Sequence, residues 1–100
     1  MKRRQVVFAP EARDDLLSIY DWIADAVSPA TALAYVERVE AWCRGFDLAA
    51  ERGRLREEVR LGLRVVGFER RLTVAFTVSE DRVTILRLFY GGRDWEGEDF

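Results

Sequence analysis

Residues 10–46 read PEARDDLLSIYDWIADAVSPATALAYVERVEAWCRGF, and the spacing of their apolar positions decides the fold. Ala12, Leu16, Ile19, Tyr20, Ile23 and Val27 recur at three- and four-residue steps, so a helix over residues 11–27 carries them on one face. Arg13, Asp14, Asp21 and Asp25 keep much of the remaining surface wet, and Glu11, Asp14 and Asp15 suit the positive end of the helix dipole. Ser28-Pro29 restarts the pattern: serine caps the new helix and proline occupies its first position, where its missing N–H costs nothing. A second stripe follows, made of Ala32, Tyr35, Val36, Val39, Trp42, Cys43 and Phe46. Two amphipathic helices joined so tightly must lie side by side as a hairpin. Neither can bury its whole stripe against the other, so the hairpin requires a sheet.

The flanking sequence supplies one. Residues 5–8, short, β-branched and followed by Pro10, read as a first strand. Residues 49–60 break both periodicities around Arg52-Gly53-Arg54 and read as a polar connector. Three β-rich runs follow, at 63–68, 72–78 and 83–90. Turns are expected at Phe68-Glu69-Arg70 and Ser79-Glu80-Asp81, both short enough for antiparallel hairpins. Leu72, Val74, Phe76 and Val78 alternate with Thr73, Ala75 and Thr77, as in a strand with one covered face. The run 83–90 is apolar at both parities apart from Arg87, which predicts a central strand. The expected fold is therefore α+β, in the order β-α-α-β-β-β. A helical hairpin packs on one face of a largely antiparallel four-stranded sheet, and the opposite face is more polar. Gly91-Gly92 ends the last strand, and residues 95–100 form an acidic tail whose last part, 96–100, is expected to be flexible.

Composition narrows the chemistry. One hundred residues suit one domain with one hydrophobic core. Hydrophobic residues at 49% and charged residues at 34% suit a globular chain. No apolar run approaches the roughly 20 residues of a membrane span, and Met1-Lys2-Arg3-Arg4 is not followed by the long apolar segment of a signal peptide, so a cytoplasmic location is expected. Cys43 is the only cysteine and there is no histidine. No internal disulfide can form, most transition-metal sites lose their usual ligands, and Ser/His or Cys/His nucleophiles are excluded. No metal or cofactor is expected.

The net charge of −2 is unevenly spread: residues 51–71 carry 7 basic against 4 acidic groups, and residues 72–100 carry 3 against 6. All but one of the 16 basic residues are arginine, whose planar fork matches carboxylates and phosphates. An acidic chain is nevertheless poorly suited to nonspecific nucleic-acid binding, so direct DNA binding is not expected.

Three segments carry a resemblance to a known family. Phe8-Ala9-Pro10-Glu11-Ala12-Arg13-Asp14-Asp15-Leu16 with Ile19-Tyr20-Asp21-Trp22-Ile23, then Arg60-Leu61-Gly62-Leu63-Arg64, then Arg87-Leu88-Phe89-Tyr90-Gly91-Gly92-Arg93-Asp94-Trp95, follow one another as in the ParE/RelE toxin superfamily. The resemblance spans nearly the whole chain. It implies the toxin of a type II toxin–antitoxin operon, held in a hetero-oligomeric complex by a ParD-like antitoxin. ParE-like members block DNA gyrase by binding, whereas RelE-like members cut mRNA in the ribosome. The chain departs from the closing motif at Tyr90, where many members carry histidine. A tyrosine, with a reference pKa near 10, is a slow base at neutral pH. Gyrase inhibition needs no such base, so the binding function is the leading expectation. The alternatives are a ribonuclease that uses Arg64, Arg71, Arg87, Tyr90 and Arg93, and a non-toxic relative that serves only as a complex partner.

For partner contact the candidates are Arg64, Arg70 and Arg71, read as one cluster on adjacent strands and their turn, together with Arg93 and Trp95 beyond the last strand and Trp22 on the first helix. Trp22 lies about 100° from the centre of its helix's apolar face, which leaves it half exposed as a possible anchor. An acidic antitoxin segment would complement the arginines. Trp42 and Cys43 lie on the core stripe and are expected to be buried.

Overall fold

The computed structural model describes residues 3–91. Its elements run β1 (Gln5–Phe8), α1 (Pro10–Ala26), α2 (Pro29–Arg44), a single 3₁₀ turn (Gly45–Asp47), β2 (Arg54–Leu55), β3 (Arg64–Phe68), β4 (Leu72–Val78) and β5 (Arg82–Tyr90). The strands form one sheet in the order β1-β5-β4-β3-β2, antiparallel except for the parallel pair β1–β5. Among the described residues no helix is long and apolar enough to cross a membrane.

The helical hairpin forms as its local signals require. Pro10 and Pro29 each start a helix, and the Ser28 hydroxyl accepts the Thr31 N–H at 3.1 Å, satisfying an otherwise orphaned donor. Ala12, Leu16, Ile19 and Ile23 of α1 and Ala32, Tyr35, Val39 and Cys43 of α2 are buried. They close over Leu72, Val74 and Phe76 of β4 and Val83, Ile85 and Leu88 of β5. Trp42 packs beside Phe46 and Phe68, with ring centroids 5.0 and 4.7 Å away. Cys43 is fully buried, and burial pushes its thiol pKa up to about 12. Val27 departs from expectation: it is the C-cap of α1, has left the helical stripe and is 69% exposed.

The sheet has five strands rather than four. β2 lies within the stretch read as a connector and pairs Arg54 with Val65 and Leu55 with Arg64. Two residues are too few to carry a periodic signal. Gly53 makes the approach possible: its φ is +73°, and a Cβ there would lie 2.2 Å from the Val65 carbonyl oxygen. The sheet's other face is also less polar than expected. Leu63, Ala75 and Phe89 form a second buried cluster there, flanked by Val59, Val65 and Leu86. The chain before β3 folds over this cluster, fixed by the Arg56 N–H to the Leu63 carbonyl at 2.7 Å and the Gly62 N–H to the Glu57 carboxylate at 2.9 Å.

A bulge in β5 explains why that strand is apolar at both parities. Phe76 pairs with Ile85 and Ala75 with Arg87, which leaves Leu86 unopposed. The side chains therefore change phase. Val83 and Ile85 face the helices before the bulge and Leu88 and Tyr90 after it, while Leu86 and Phe89 serve the opposite cluster. β5 is central only in its first half, because its pairing with β1 stops at Ile85. Beyond that point Asp15 of α1 replaces a strand. Its carboxylate accepts the Leu88 N–H at 2.9 Å and both forks of Arg87, at 2.8 and 3.1 Å.

The β3–β4 turn is tight and uses no glycine. Glu69 and Arg70 adopt φ of 50° and 67°, a left-handed conformation that L side chains rarely take.

Two outcomes follow for stability. Asp15→Ala removes the acceptor from a backbone N–H and takes the bidentate carboxylate from a largely buried guanidinium, so chemical denaturation should show a loss of about 3 kcal/mol. Asp15→Asn, which keeps one acceptor, should lose less; a change below about 0.5 kcal/mol for the alanine variant would remove the contact's structural role. Arg70→Gly should raise stability by about 1 kcal/mol by relieving the left-handed strain, and a lower melting temperature would contradict it.

Candidate partner-binding groove

The turn of the helical hairpin, the β3–β4 turn and the end of β5 meet around a groove of about 700 Å³. Its apolar wall is Trp22, Ile23, Ala26 and Val27 from α1 and its C-cap, with Ala30 and Ala34 from α2. The polar end is formed by Tyr35 and Arg38 of α2, Glu69 and Arg71 of the turn, and Tyr90 of β5. Antiparallel pairing creates the polar end: Leu72 lies opposite Tyr90, and the Gly91 N–H donates to the Arg71 carbonyl at 2.8 Å, so the turn and the strand end stay together.

Three aromatic rings line this junction. Trp22 meets Tyr90 edge-on at 5.3 Å between centroids, and Tyr90 meets Tyr35 edge-on at 5.5 Å. Arg38 places its guanidinium 5.2 Å from the Tyr35 ring centre and forks to Glu69, with Nε to Oε2 at 3.1 Å and Nη2 to Oε1 at 2.9 Å. The hydrogen bond from Arg38 holds the Glu69 carboxyl below its usual range and raises the Arg38 pKa in return. Both side chains stay about half exposed, so the pair contributes little to stability and serves mainly to fix geometry.

The Tyr35 hydroxyl is buried and has no hydrogen-bond partner among the described residues. Its pKa is pushed up to about 12, first by burial and then by Tyr90 and Glu69, against the opposing pull of Arg38 and Arg71. Arg70 and Arg71 are exposed, and neither side chain is paired among the described residues.

The candidates read from sequence divide between separate places. Trp22, Arg71 and Tyr90 converge on the groove, and Trp22 is 57% exposed. Arg70 sits on the adjoining turn. Arg64 does not join Arg70 and Arg71: it begins β3, at the far end of the strand from their turn, about 13 Å from the strand's last residue at roughly 3.3 Å per residue. There it donates to the Arg52 carbonyl at 3.4 Å. Arg87 is bound to Asp15 and lies 4.9 Å from the Phe89 ring centre. Arg93 and Trp95 lie outside the described residues. Among the described residues no group of three acidic or cysteine side chains is placed to hold a metal ion.

Tyr35, Arg38 and Glu69 are the groove residues that sequence reading missed. Tyr35 reads as core and Arg38 as wet helix surface; their i, i+3 spacing was the only signal that they share a side. A second, apolar depression lies outside the hairpin, lined by Leu16, Leu17, Tyr20, Leu33 and Val36 between Arg13 and Glu40.

The buried hydroxyl gives a pH test. The folded chain holds the Tyr35 proton more tightly than the unfolded chain, so this contribution is intact below pH 10.0 and is lost as pH rises toward about 12. Urea unfolding at about pH 9 and about pH 11 should show a fall in stability that Tyr35→Phe reduces. Equal slopes for the two proteins would contradict it.

Comparison with known proteins agrees with this architecture. A chromosomal ParDE toxin–antitoxin system from P. aeruginosa supplies a solved structure with a TM-score of 0.77 and 24% identity, covering 89% of this chain and 97% of that one. A second, from the RelBE2 toxin–antitoxin complex of Mycobacterium tuberculosis, has a TM-score of 0.59 and 19% identity, covering 93% of this chain and 97% of that one. At these identities the likeness shows the fold. Among curated sequences none matches. The family model for the ParE toxin of the type II toxin–antitoxin system parDE matches residues 6–95, nine-tenths of the sequence, and the chain therefore belongs to the ParE toxin family.

Proposed function

We propose that this ParE-type toxin acts by binding, as an inhibitor of DNA gyrase that arrests growth in the cytoplasm, and that a ParD-like antitoxin neutralises it in a hetero-oligomeric complex. The observation that carries the binding reading is the lock on Arg87. With its fork held by Asp15 and Arg64 at the far end of β3, neither arginine lines the groove with Tyr90. The ribonuclease set is thus divided, while a complementary surface suffices for a binding inhibitor. The chain's net charge of −2 also works against contact with ribosomal RNA. For the antitoxin, the arginines of the β3–β4 turn and the exposed Trp22 and Val27 offer the mixed cationic and apolar surface that an acidic, amphipathic segment would cover.

A second reading has one observation in its favour. Arg71 and Tyr90 do share the groove, as a RelE-like ribonuclease would need for phosphate binding and proton transfer.

Purified protein should inhibit gyrase supercoiling of plasmid DNA, Tyr90→Phe should inhibit equally well, and adding the polypeptide encoded by the adjacent reading frame should restore supercoiling. Normal supercoiling together with codon-dependent mRNA cuts that fall about a hundredfold in Tyr90→Phe would establish the ribonuclease instead.

A further inference from the structure

We propose that the groove is a carboxylate socket: one Asp or Glu side chain of an acidic–apolar partner segment enters between Arg38, Arg71 and Tyr35, displacing Glu69, while a neighbouring apolar side chain of that segment packs on Trp22 and Val27. The identification of the partner as the antitoxin rests on the function proposed above; the chemistry of the socket rests on the groove alone.

Four observations point to this occupant. Tyr35 is 7% exposed and its buried hydroxyl has no hydrogen-bond partner among the described residues, although it lines a groove that also holds Arg38, Glu69 and Arg71. An O–H donor left in that state lacks an acceptor, and a carboxylate oxygen supplies one. Arg71 is exposed and unpaired among the described residues, so its guanidinium fork is open toward the groove for a carboxylate. Glu69 shows which group suits Arg38. Its carboxylate takes both forks of the guanidinium, yet it does so on an exposed turn where an ion pair is weak and exchangeable. Finally, the opposite wall is apolar, with Trp22 and Val27 57% and 69% exposed and the small side chains of Ala26, Ala30 and Ala34 leaving room beside them.

The charge balance selects a carboxylate over a polyanion. Among the described lining residues Arg38 and Arg71 stand against Glu69, which stays on the adjoining turn when displaced, so one entering carboxylate balances the remaining positive charge. A phosphodiester chain would bring repeated negative charge to a protein that is itself acidic and to a groove walled on one side by hydrocarbon. An acidic residue beside an apolar one matches both walls.

The test uses the full chain and defined probes: a fluorescein-labelled peptide of three Leu-Glu-Glu-Leu repeats, its Leu-Gln-Gln-Leu counterpart, inorganic phosphate and an octameric oligouridylate. Anisotropy should show the Glu peptide binding about tenfold more tightly than the Gln peptide. Tyr35→Phe and Arg71→Gln should each weaken binding several-fold without lowering the melting temperature. Glu69→Gln should tighten it, because Arg38 is released from its internal partner; a merely structural role for Glu69 would not produce that sign. The side-chain NMR signals of Arg38, Arg71 and Trp22 should move on binding.

Equal affinity for the two peptides, no binding, shifts confined to the Leu17 and Leu33 face, or tighter binding of phosphate or oligouridylate would overturn the socket. The antitoxin reading fails separately. If the adjacent-frame polypeptide binds all three variants as it binds the parent chain, the antitoxin stands and the socket is overturned. If the peptides behave as expected but that polypeptide never binds, the socket stands and its assignment to the antitoxin falls.

Discussion

The carboxylate of Asp15 joins the helical layer to the sheet where strand pairing runs out. β1 is four residues long and β5 nine, so among the described residues the outer edge of β5 beyond Ile85 has no neighbouring strand. A buried backbone N–H without a partner there would cost stability. Asp15 accepts it, neutralises Arg87 at the same time, and thereby sets the height of α1 along β5. This contact has a chemical consequence as well as a structural one. A guanidinium from the closing strand motif becomes an internal strut, so the stability of the fold and the proposed lack of hydrolytic chemistry depend on the same pair of side chains.

Local signals in the sequence carried most of the architecture. Proline at the start of each helix, the Ser28 cap and the three- and four-residue stripes act within a few residues of themselves, and the helices form where those signals place them. What sequence did not disclose depends on distant partners. The parallel register of β1 with β5, the two-residue β2 and the loop that covers Leu63 and Phe89 are each decided by another part of the chain. The bulge at Leu86 is the most instructive case. Apolar residues at both parities predict a central strand; β5 is central only as far as Ile85, and the pattern also reflects a change of phase within the strand.

The groove was legible in the same uneven way. Trp22 could be placed at the edge of the apolar face from the helical angle alone. The motif containing Tyr90 could be recognised from the resemblance. Arg64, Arg70 and Arg71 looked like a cluster because they are close in sequence and rich in charge, yet a strand carries residues apart at over 3 Å each, and the hairpin sends Arg64 to the opposite end from the turn. Tyr35 was hidden by its own spacing, which satisfies the core stripe while its ring reaches the rim.

Among the described residues, unsatisfied buried side-chain groups and left-handed non-glycine residues are not spread evenly over the molecule. At the Asp15 corner every polar group named has a partner. Around the groove, by contrast, lie a buried hydroxyl without a hydrogen-bond partner among the described residues, two non-glycine residues in the left-handed region, an exposed Arg71 that is unpaired among the described residues, and two of the several large apolar side chains open to solvent. Each is unfavourable for the isolated chain, the first two by roughly 1–3 kcal/mol apiece, and phenylalanine at position 35 or glycine in the turn would relieve the first two. A small protein has little stability to give up. Unfavourable terms gathered on one surface are most simply explained if a ligand compensates them together, by accepting the tyrosine proton, pairing the arginine and covering the indole in one binding event. The proposed acidic–apolar segment meets all three needs with two adjacent side chains.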